Sequence, residues 1–293
     1  MYCSEGLATI TRLTALILWV FGATAHIAVL LLITRIYRKY HCFFISFYTL
    51  MILTRFLLAS VKSTGYLLIL ISHSGVPSEV DHAMWFARFS SQAAALACVI
   101  ERAYATHYAT VYENSKRCSI ITICGLVCTT ISILAYFDSK SDIGRKINAV
   151  VYGTFLAIAT VTLIVINKRL VVKSAAKSNL SERYQLTENV KALRILLPFV
   201  ITISTNAIFL SIGILIFNVD SNFSLLHCIL VPSYFPIFLI ILIETTFFNF
   251  LAPLHVLYIN RAIVRRRKNG VANLSIKIVG NEHYFQQYKS QWH

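Results

Sequence analysis

Residues 13–34 read LTALILWVFGATAHIAVLLLIT, an apolar stretch that contains no charged residue. A helix of about 20 apolar residues is long enough to cross the hydrocarbon core of a bilayer. Arg35, Arg38 and Lys39 follow at once, and such basic clusters favour the cytoplasmic side of a membrane. We therefore predict a transmembrane helix that acts as a signal anchor, with residues 1–12 forming a short extracellular segment.

Six further stretches have the length and apolar character of transmembrane helices. They run from Cys42 to Ile71, Ala83 to Ala105, Cys118 to Phe137, Ile147 to Ile166, Ile195 to Phe217 and Ile229 to Tyr258. The whole chain is 57% hydrophobic and 13% charged, which is too apolar for one soluble domain. The sequence thus predicts an all-α membrane protein, with a seven-helix transmembrane bundle over residues 13–258 and a tail over residues 259–293.

The net charge of +15 is concentrated on one side of this predicted bundle. The loops and tail on the side of Arg35, with Glu101 and Arg102, hold 20 Lys and Arg and five acids. The other side holds four basic and six acidic residues. Because cytoplasmic loops carry such an excess, we predict an outside N-terminus, an inside C-terminus and contact with anionic inner-leaflet lipids. A nucleic-acid-binding protein would need many more surface charges, so nucleic acid is not an expected partner.

Two opposite charges lie deep within the predicted spans. At the helical rise of 1.5 Å per residue, Arg55 is about 20 Å and Glu244 about 21 Å from the cytoplasmic end of its span. An unpaired charge at that depth is costly, so we predict an Arg55–Glu244 ion pair between the second and seventh helices. Alternatively, each faces a water-filled cavity, or Arg55 meets backbone carbonyls. If the two lined a permeation route, the protein would be a transporter or ion-channel subunit.

Polar residues in the outer half of the bundle are candidates for binding a small-molecule ligand. Arg88 and Gln92 are four residues apart and share one helix face, which is suited to a carboxylate or another small polar molecule. The alternative for Lys62 and Arg88 is that each extends to the outer membrane interface. The predicted ligand-binding residues are Lys62, Tyr66, Arg88, Gln92 and Asn206.

The predicted cytoplasmic side carries the strongest motifs. Glu101-Arg102 occupies the position of the acid–arginine pair of seven-helix receptors, although an ion pair at the membrane boundary is the alternative. A basic amphipathic stretch from Ser181 towards Arg194 enters the sixth span, where it can contact a protein partner or anionic lipid. The basic residues after Tyr258 favour an interfacial eighth helix or a stop-transfer signal.

Three blocks together resemble the nematode serpentine chemoreceptors of the Sra superfamily, most closely class epsilon, the Sre family. They are Glu101-Arg102-x-x-Ala105-Thr106 with Tyr112-Glu113, then Leu180-Ser181-x-Arg183-Tyr184-Gln185-x-x-Glu188-Asn189, and the tail block Gly280-Asn281-Glu282-x-Tyr284-Phe285. The resemblance implies a chemosensory receptor for small environmental molecules, coupled to a heterotrimeric G protein in the ciliary plasma membrane of sensory neurons. It implies switch or coupling roles for Glu101, Arg102, Tyr112, Glu113, Tyr184, Gln185, Glu188 and Asn189.

Motifs for catalysis or cofactor binding are not found in the sequence. It has no Gly-rich phosphate loop, His-rich metal motif or nucleophile elbow. We therefore expect no enzymatic activity, metal or cofactor. Cys3 and Cys228 are the only cysteines on the predicted outer side, and they can pair with each other.

Overall fold

The fold is that of a bundle of long helices, seen in a computed structural model of the chain. The structure describes residues 5–36, 42–72, 77–108, 125–126, 130, 142–175, 180–217, 219, 225–231, 233–259 and 261. Within these residues no strand occurs, and six helices are long and apolar enough to cross a membrane. The predicted class of helical membrane bundle is confirmed, while the orientation of the termini stays a prediction.

We number the helices by the predicted span that each contains. The first is Glu5–Ile36, the second Cys42–Ser72, the third Ser78–His107, the fifth Asp142–Ala175 and the sixth Leu180–Phe217. A short helix, Leu225–Leu230, precedes the seventh helix, Tyr234–Ile259. Of the fourth span the structure describes Gly125, Leu126 and Thr130.

The seventh span was predicted to begin at Ile229, with Pro232 as a candidate kink, whereas in the structure one helix ends at Leu230 and the next begins at Tyr234. The short helix ends at Leu230, where the Val231 amide donates to the His227 carbonyl at 2.9 Å. Tyr234 then begins the long helix, and its amide donates to the Val231 carbonyl at 3.0 Å. Pro232 explains the break, because proline has no N–H to donate and disfavours helical conformation in the residue before it.

The sixth helix shows how far the helices extend beyond their apolar spans. It contains 38 residues and begins at Leu180, so the stretch from Ser181 towards Arg194 is continuous with the sixth span, as predicted. At 1.5 Å per residue its length is about 57 Å, well beyond the 30 Å hydrocarbon core. The extension and the apolar half therefore belong to one continuous helix, with Pro198 removing one backbone hydrogen bond between them.

The third helix lies at the centre of the bundle. It contacts the second, fifth and sixth helices. In its most apolar stretch of 18 residues 67% of the residues are buried, against 33% in the corresponding stretches of the first and fifth helices. Those two helices expose large apolar side chains, such as Leu31 at 64% and Val151 at 63%. Apolar surface of this extent is suited to lipid and unfavourable in water.

By its internal contacts the chain divides into two units, residues 1–254 and residues 255–293. The second contains the end of the seventh helix, and the predicted eighth helix and tail block lie outside the described residues apart from Ile259 and Arg261. Cys228 is disulfide-bonded, whereas Cys3 lies outside the described residues.

Candidate ligand cavity and inner polar cluster

A cavity lies among the first, second, third, sixth and seventh helices, from the middle of the bundle towards its predicted outer end. The space between its lining side chains amounts to about 650 Å³, a volume that includes solvent at its open mouth. All five residues predicted to bind ligand line it: Lys62, Tyr66, Arg88, Gln92 and Asn206. The sequence predicts that these residues lie in the outer half of the bundle, and the structure brings them to one cavity.

The remaining wall of the cavity is mostly apolar. Leu58 of the second helix and Phe238 of the seventh belong to it. The other apolar side chains are contributed by Ile203, Ala207, Leu210, Ile241 and Leu242. A mostly apolar lining with a few polar groups is the usual composition of a site for a small molecule.

Arg55 also lines this cavity and is only 4% exposed. Its Nε and Nη2 atoms are buried and have no hydrogen-bond partner. Arg88 is placed differently, because its guanidinium carbon lies 4.9 Å from the centre of the Trp85 ring, in a cation–π contact. The cavity therefore contains one arginine with unused donors.

The predicted direct ion pair between Arg55 and Glu244 is not formed in the structure. Within the described part of the chain no ion pair joins these residues, although Glu244 attracts both Arg55 and Arg88 electrostatically. Glu244 is instead bound by Asn206, whose amide nitrogen, in the orientation that satisfies both groups, donates to Oε1 and Oε2 at 3.0 Å each. Rotation about the helix axes, which depth along a span does not specify, accounts for the difference.

Trp19 is a cavity residue that the sequence analysis missed. It lies in the first helix, is 5% exposed, and its indole Nε1 is buried without a hydrogen-bond partner. A tryptophan within an apolar stretch gives no sequence signal, because it is equally compatible with lipid contact and with core packing.

A second polar site, the inner polar cluster, lies at the opposite end of the third helix and contains Glu101, Arg102, Thr106, Asn167 and Asn189. Glu101 and Arg102 are each only 1% exposed. Arg102 donates from Nε and Nη2 to the Glu101 carboxylate, and from Nη1 to Asn189 Oδ1 at 2.8 Å. The pair is therefore buried between helices, in contrast to an ion pair exposed at the membrane boundary.

The cluster connects three helices through neutral side chains. The Thr106 hydroxyl donates to the Arg102 carbonyl at 2.7 Å. Asn167 Nδ2 of the fifth helix donates to Thr106 Oγ1 at 2.9 Å and to the Leu163 carbonyl at 2.9 Å. Asn167 directly follows the predicted fifth span and was not among the predicted site residues, although a polar residue at the edge of an apolar span is a signal for such a contact.

Other predicted coupling residues lie on the same helix as Asn189. Gln185 is buried one turn before it and shares its helix face, and Glu188 is half-buried. The side chain of Tyr184 lies outside the described residues, as do Tyr112 and Glu113. The structure thus assembles Glu101, Arg102 and Asn189, and describes Gln185 beside them.

The described residues thus form a helical bundle with six candidate membrane spans, a cavity among the helices towards one end and a buried acid–arginine pair towards the other. Residues 80–293 match the model of the Sre G protein-coupled chemoreceptor family, and the chain belongs to this family. No curated protein matches the chain. The protein is therefore a multi-pass membrane protein and a serpentine chemoreceptor, and the alternative of a transporter or channel subunit is not favoured.

Proposed function

We propose that the receptor detects a small chemical cue in the cavity and transmits the signal to a heterotrimeric G protein at the predicted inner end. The observation that carries this proposal is that two helices contribute to both sites. The third helix contributes Arg88 to the cavity and Arg102 to the inner polar cluster, and the sixth contributes Asn206 and Asn189.

The hydrogen bond from Arg102 to Asn189 serves as the switch in this proposal. It holds the third and sixth helices together in the ligand-free receptor. A ligand that binds more tightly to the arrangement with separated inner ends shifts the population towards it. The same arrangement exposes the Arg102 region to the partner.

The surface for the G protein is formed by two predicted cytoplasmic loops, Thr106–Arg117 and Asn167–Arg194, with the adjoining helix ends. Charged side chains at these ends are exposed, namely Lys168, Arg169, Lys173, Lys191 and Arg194. Anionic lipid of the inner leaflet neutralises the same charges, at about 1 kcal/mol for each Lys or Arg near the surface. Tyr112, Glu113, Tyr184 and Glu188 belong to this coupling region, and we place the receptor in the ciliary plasma membrane of sensory neurons.

The decisive experiment is expression of the full chain in cells with simultaneous recording of G-protein activation and membrane current. A panel of volatile and water-soluble small molecules supplies the stimulus. We expect compounds that activate the G protein without an evoked current. Ligand-evoked current in cells that lack G protein would instead identify a channel.

A cavity variant and a lipid-facing variant link that response to the cavity. Gln92→Leu removes a buried polar group of the lining. When the amount of receptor at the cell surface is the same, the response is expected to weaken by about 10-fold or more. Ile158→Leu changes a side chain that is 62% exposed on the fifth helix and serves as the control. Equal responses of the two variants would place ligand binding elsewhere.

A further inference from the structure

We propose that the ligand is a small organic anion, a carboxylate attached to an apolar body, whose carboxylate is bound by Arg55 with the Trp19 indole N–H. This inference rests on the proposed function, because it takes the cavity as the ligand site. It assigns the chemical class of ligand and the group that anchors it.

Charge is the first argument for an anion. Arg55, Lys62 and Arg88 line the cavity, and the described lining contains no carboxylate. Two acids are close enough to interact with these cations, Glu244 with Arg55 and Arg88, and Asp81 with Lys62 and Arg88. Three positive charges against two negative ones leave the site with an excess of positive charge.

The arrangement of donors singles out Arg55 as the anchor. Glu244 is engaged by the Asn206 amide, and Arg88 packs on the Trp85 ring. Arg55 has two buried nitrogen atoms without a partner, and Trp19 has one. Because a guanidinium presents parallel N–H groups that match the two oxygens of a carboxylate, a bound carboxylate satisfies donors that are otherwise buried and unused.

The rest of the lining sets the character of the remaining ligand. Lys62 and Arg88 already interact with Asp81 and Glu244. The other lining side chains, such as Leu58 and Phe238, are mostly apolar, so the rest of the ligand is expected to be apolar. An amine is repelled by the three cations, and an alcohol leaves the arginine charge uncompensated. A monocarboxylate with an aliphatic or aromatic body satisfies both parts of the cavity.

Ligand class is tested by direct binding to the purified full-length receptor in lipid nanodiscs. The probes are straight-chain carboxylates of four to ten carbons, with the alcohol and the amine of each length, and the readout is the unfolding temperature at pH 7. We expect at least one carboxylate to raise this temperature in a concentration-dependent manner, while its alcohol and amine have no effect. Stabilisation by the alcohol or amine to the same extent would overturn the proposal, as would no effect of any carboxylate. Equal stabilisation by chloride alone would overturn it too.

Variants test the anchor. Arg55→Gln should weaken binding of the effective carboxylate by about 10-fold or more, and Arg55→Lys by less, because a charge remains without the planar fork. Trp19→Phe keeps an aromatic ring and removes the N–H, and should weaken binding several-fold. If Arg55→Gln does not fold, Trp19→Phe is the variant that decides the test. Arg12→Gln removes a positive charge from the first helix outside the cavity lining and should leave binding unchanged. An Arg55→Lys or Trp19→Phe variant that binds as the unmodified receptor does would reject the anchor.

The binding assay separates this inference from the proposed function. Carboxylate binding that never activates a G protein would reject the coupling and leave the ligand class intact. G-protein activation only by amines or alcohols would retain the function and reject the ligand class.

Discussion

Arg102 is the residue in which burial and charge conflict most directly. Removing a charge from water is costly, and a buried ion pair only approximately compensates for it. The Glu101 carboxylate accepts two of its hydrogen bonds, Asn189 accepts a third, and its guanidinium carbon lies 4.8 Å from the centre of the Phe44 ring. Glu101 lies on the same helix as Arg102, whereas Asn189 lies on the sixth helix, so separation of the third and sixth helices breaks the Asn189 contact first.

Asn189→Ala is expected to raise the ligand-free activity of the receptor. A hydrogen bond to a charged group contributes about 1.5–3 kcal/mol, so its loss shifts the helix equilibrium by about 10-fold or more towards the separated arrangement. The measurement is basal G-protein activation per receptor at the cell surface. Asn189→Asp retains an oxygen acceptor for Arg102, and its basal activity should not exceed that of the unmodified receptor.

Ile201→Ala provides the matched control for this substitution. Ile201 lies on the same helix, is 42% exposed and belongs to neither the inner polar cluster nor the cavity lining. If Asn189→Ala lowers the unfolding temperature and leaves basal activity at the level of Ile201→Ala, the hydrogen bond is only structural and the proposed switch is wrong.

At the residue scale the sequence predicted which side chains are buried and polar better than it predicted their partners. Arg55 and Glu244 are both buried inside the bundle, at 4% and 8% exposure, as expected for charged residues in the middle of a span. Partners depend on the rotation of each helix, which the nearly continuous apolar spans do not specify. Asn206 therefore became the partner of Glu244, and Asn167 and Trp19 were not anticipated at all.

The fifth and sixth helices approach each other closely at Gly153. The Ser204 hydroxyl donates to the Gly153 carbonyl, and a Cβ at this glycine would lie 3.2 Å from Ser204 Cα and 3.5 Å from Ala207 Cβ. Small residues allow such approach between helices in a membrane, where van der Waals contact and hydrogen bonds drive association. Ala207 also lines the cavity, so this contact supports one wall of the candidate site.

Gly153→Leu is expected to destabilise the bundle by about 1–3 kcal/mol, because the larger side chain forces the two helices apart. The unfolding temperature of the purified receptor should fall, and the surface amount in cells should fall with it. Gly153→Ala should be much milder, since alanine favours helix by about 1 kcal/mol over glycine and offsets part of the crowding. Val151→Leu on the exposed face of the same helix is the control; an equal loss of stability there would rule out the fifth–sixth contact as the cause.

At the element scale, hydropathy identified the membrane spans but underestimated the lengths of the helices that contain them. The third helix begins at Ser78 and not at Ala83, and the fifth ends at Ala175 and not at Ile166. Hydropathy detects only the part that crosses the lipid core, whereas backbone hydrogen bonding continues into polar sequence. At the start of the seventh span the sequence indicated only a candidate kink at Pro232 and not the break before Tyr234, because the residues around this proline are apolar.

On the scale of the whole molecule, the charge distribution and the number of spans constrain each other. An odd number of spans places the termini on opposite sides of the membrane, and an even number places them on the same side. Six candidate spans are present in the described residues, and the fourth predicted span, Cys118 to Phe137, lies largely outside them. Locating the two termini therefore tests both the count and the orientation.

Epitope tags at the two ends of the full chain should be accessible from opposite sides. The excess of Lys and Arg in the loops and tail on the side of Arg35 is expected to hold that side in the cytoplasm. An antibody should then detect an N-terminal tag on intact cells, and a C-terminal tag only after the membrane is permeabilised. Detection of both tags in permeabilised cells is the control for expression. Two tags on the same side would contradict seven spans. A C-terminal tag exposed on intact cells, with the N-terminal tag inside, would reverse the predicted orientation. The inner polar cluster would then lie on the side away from the G protein.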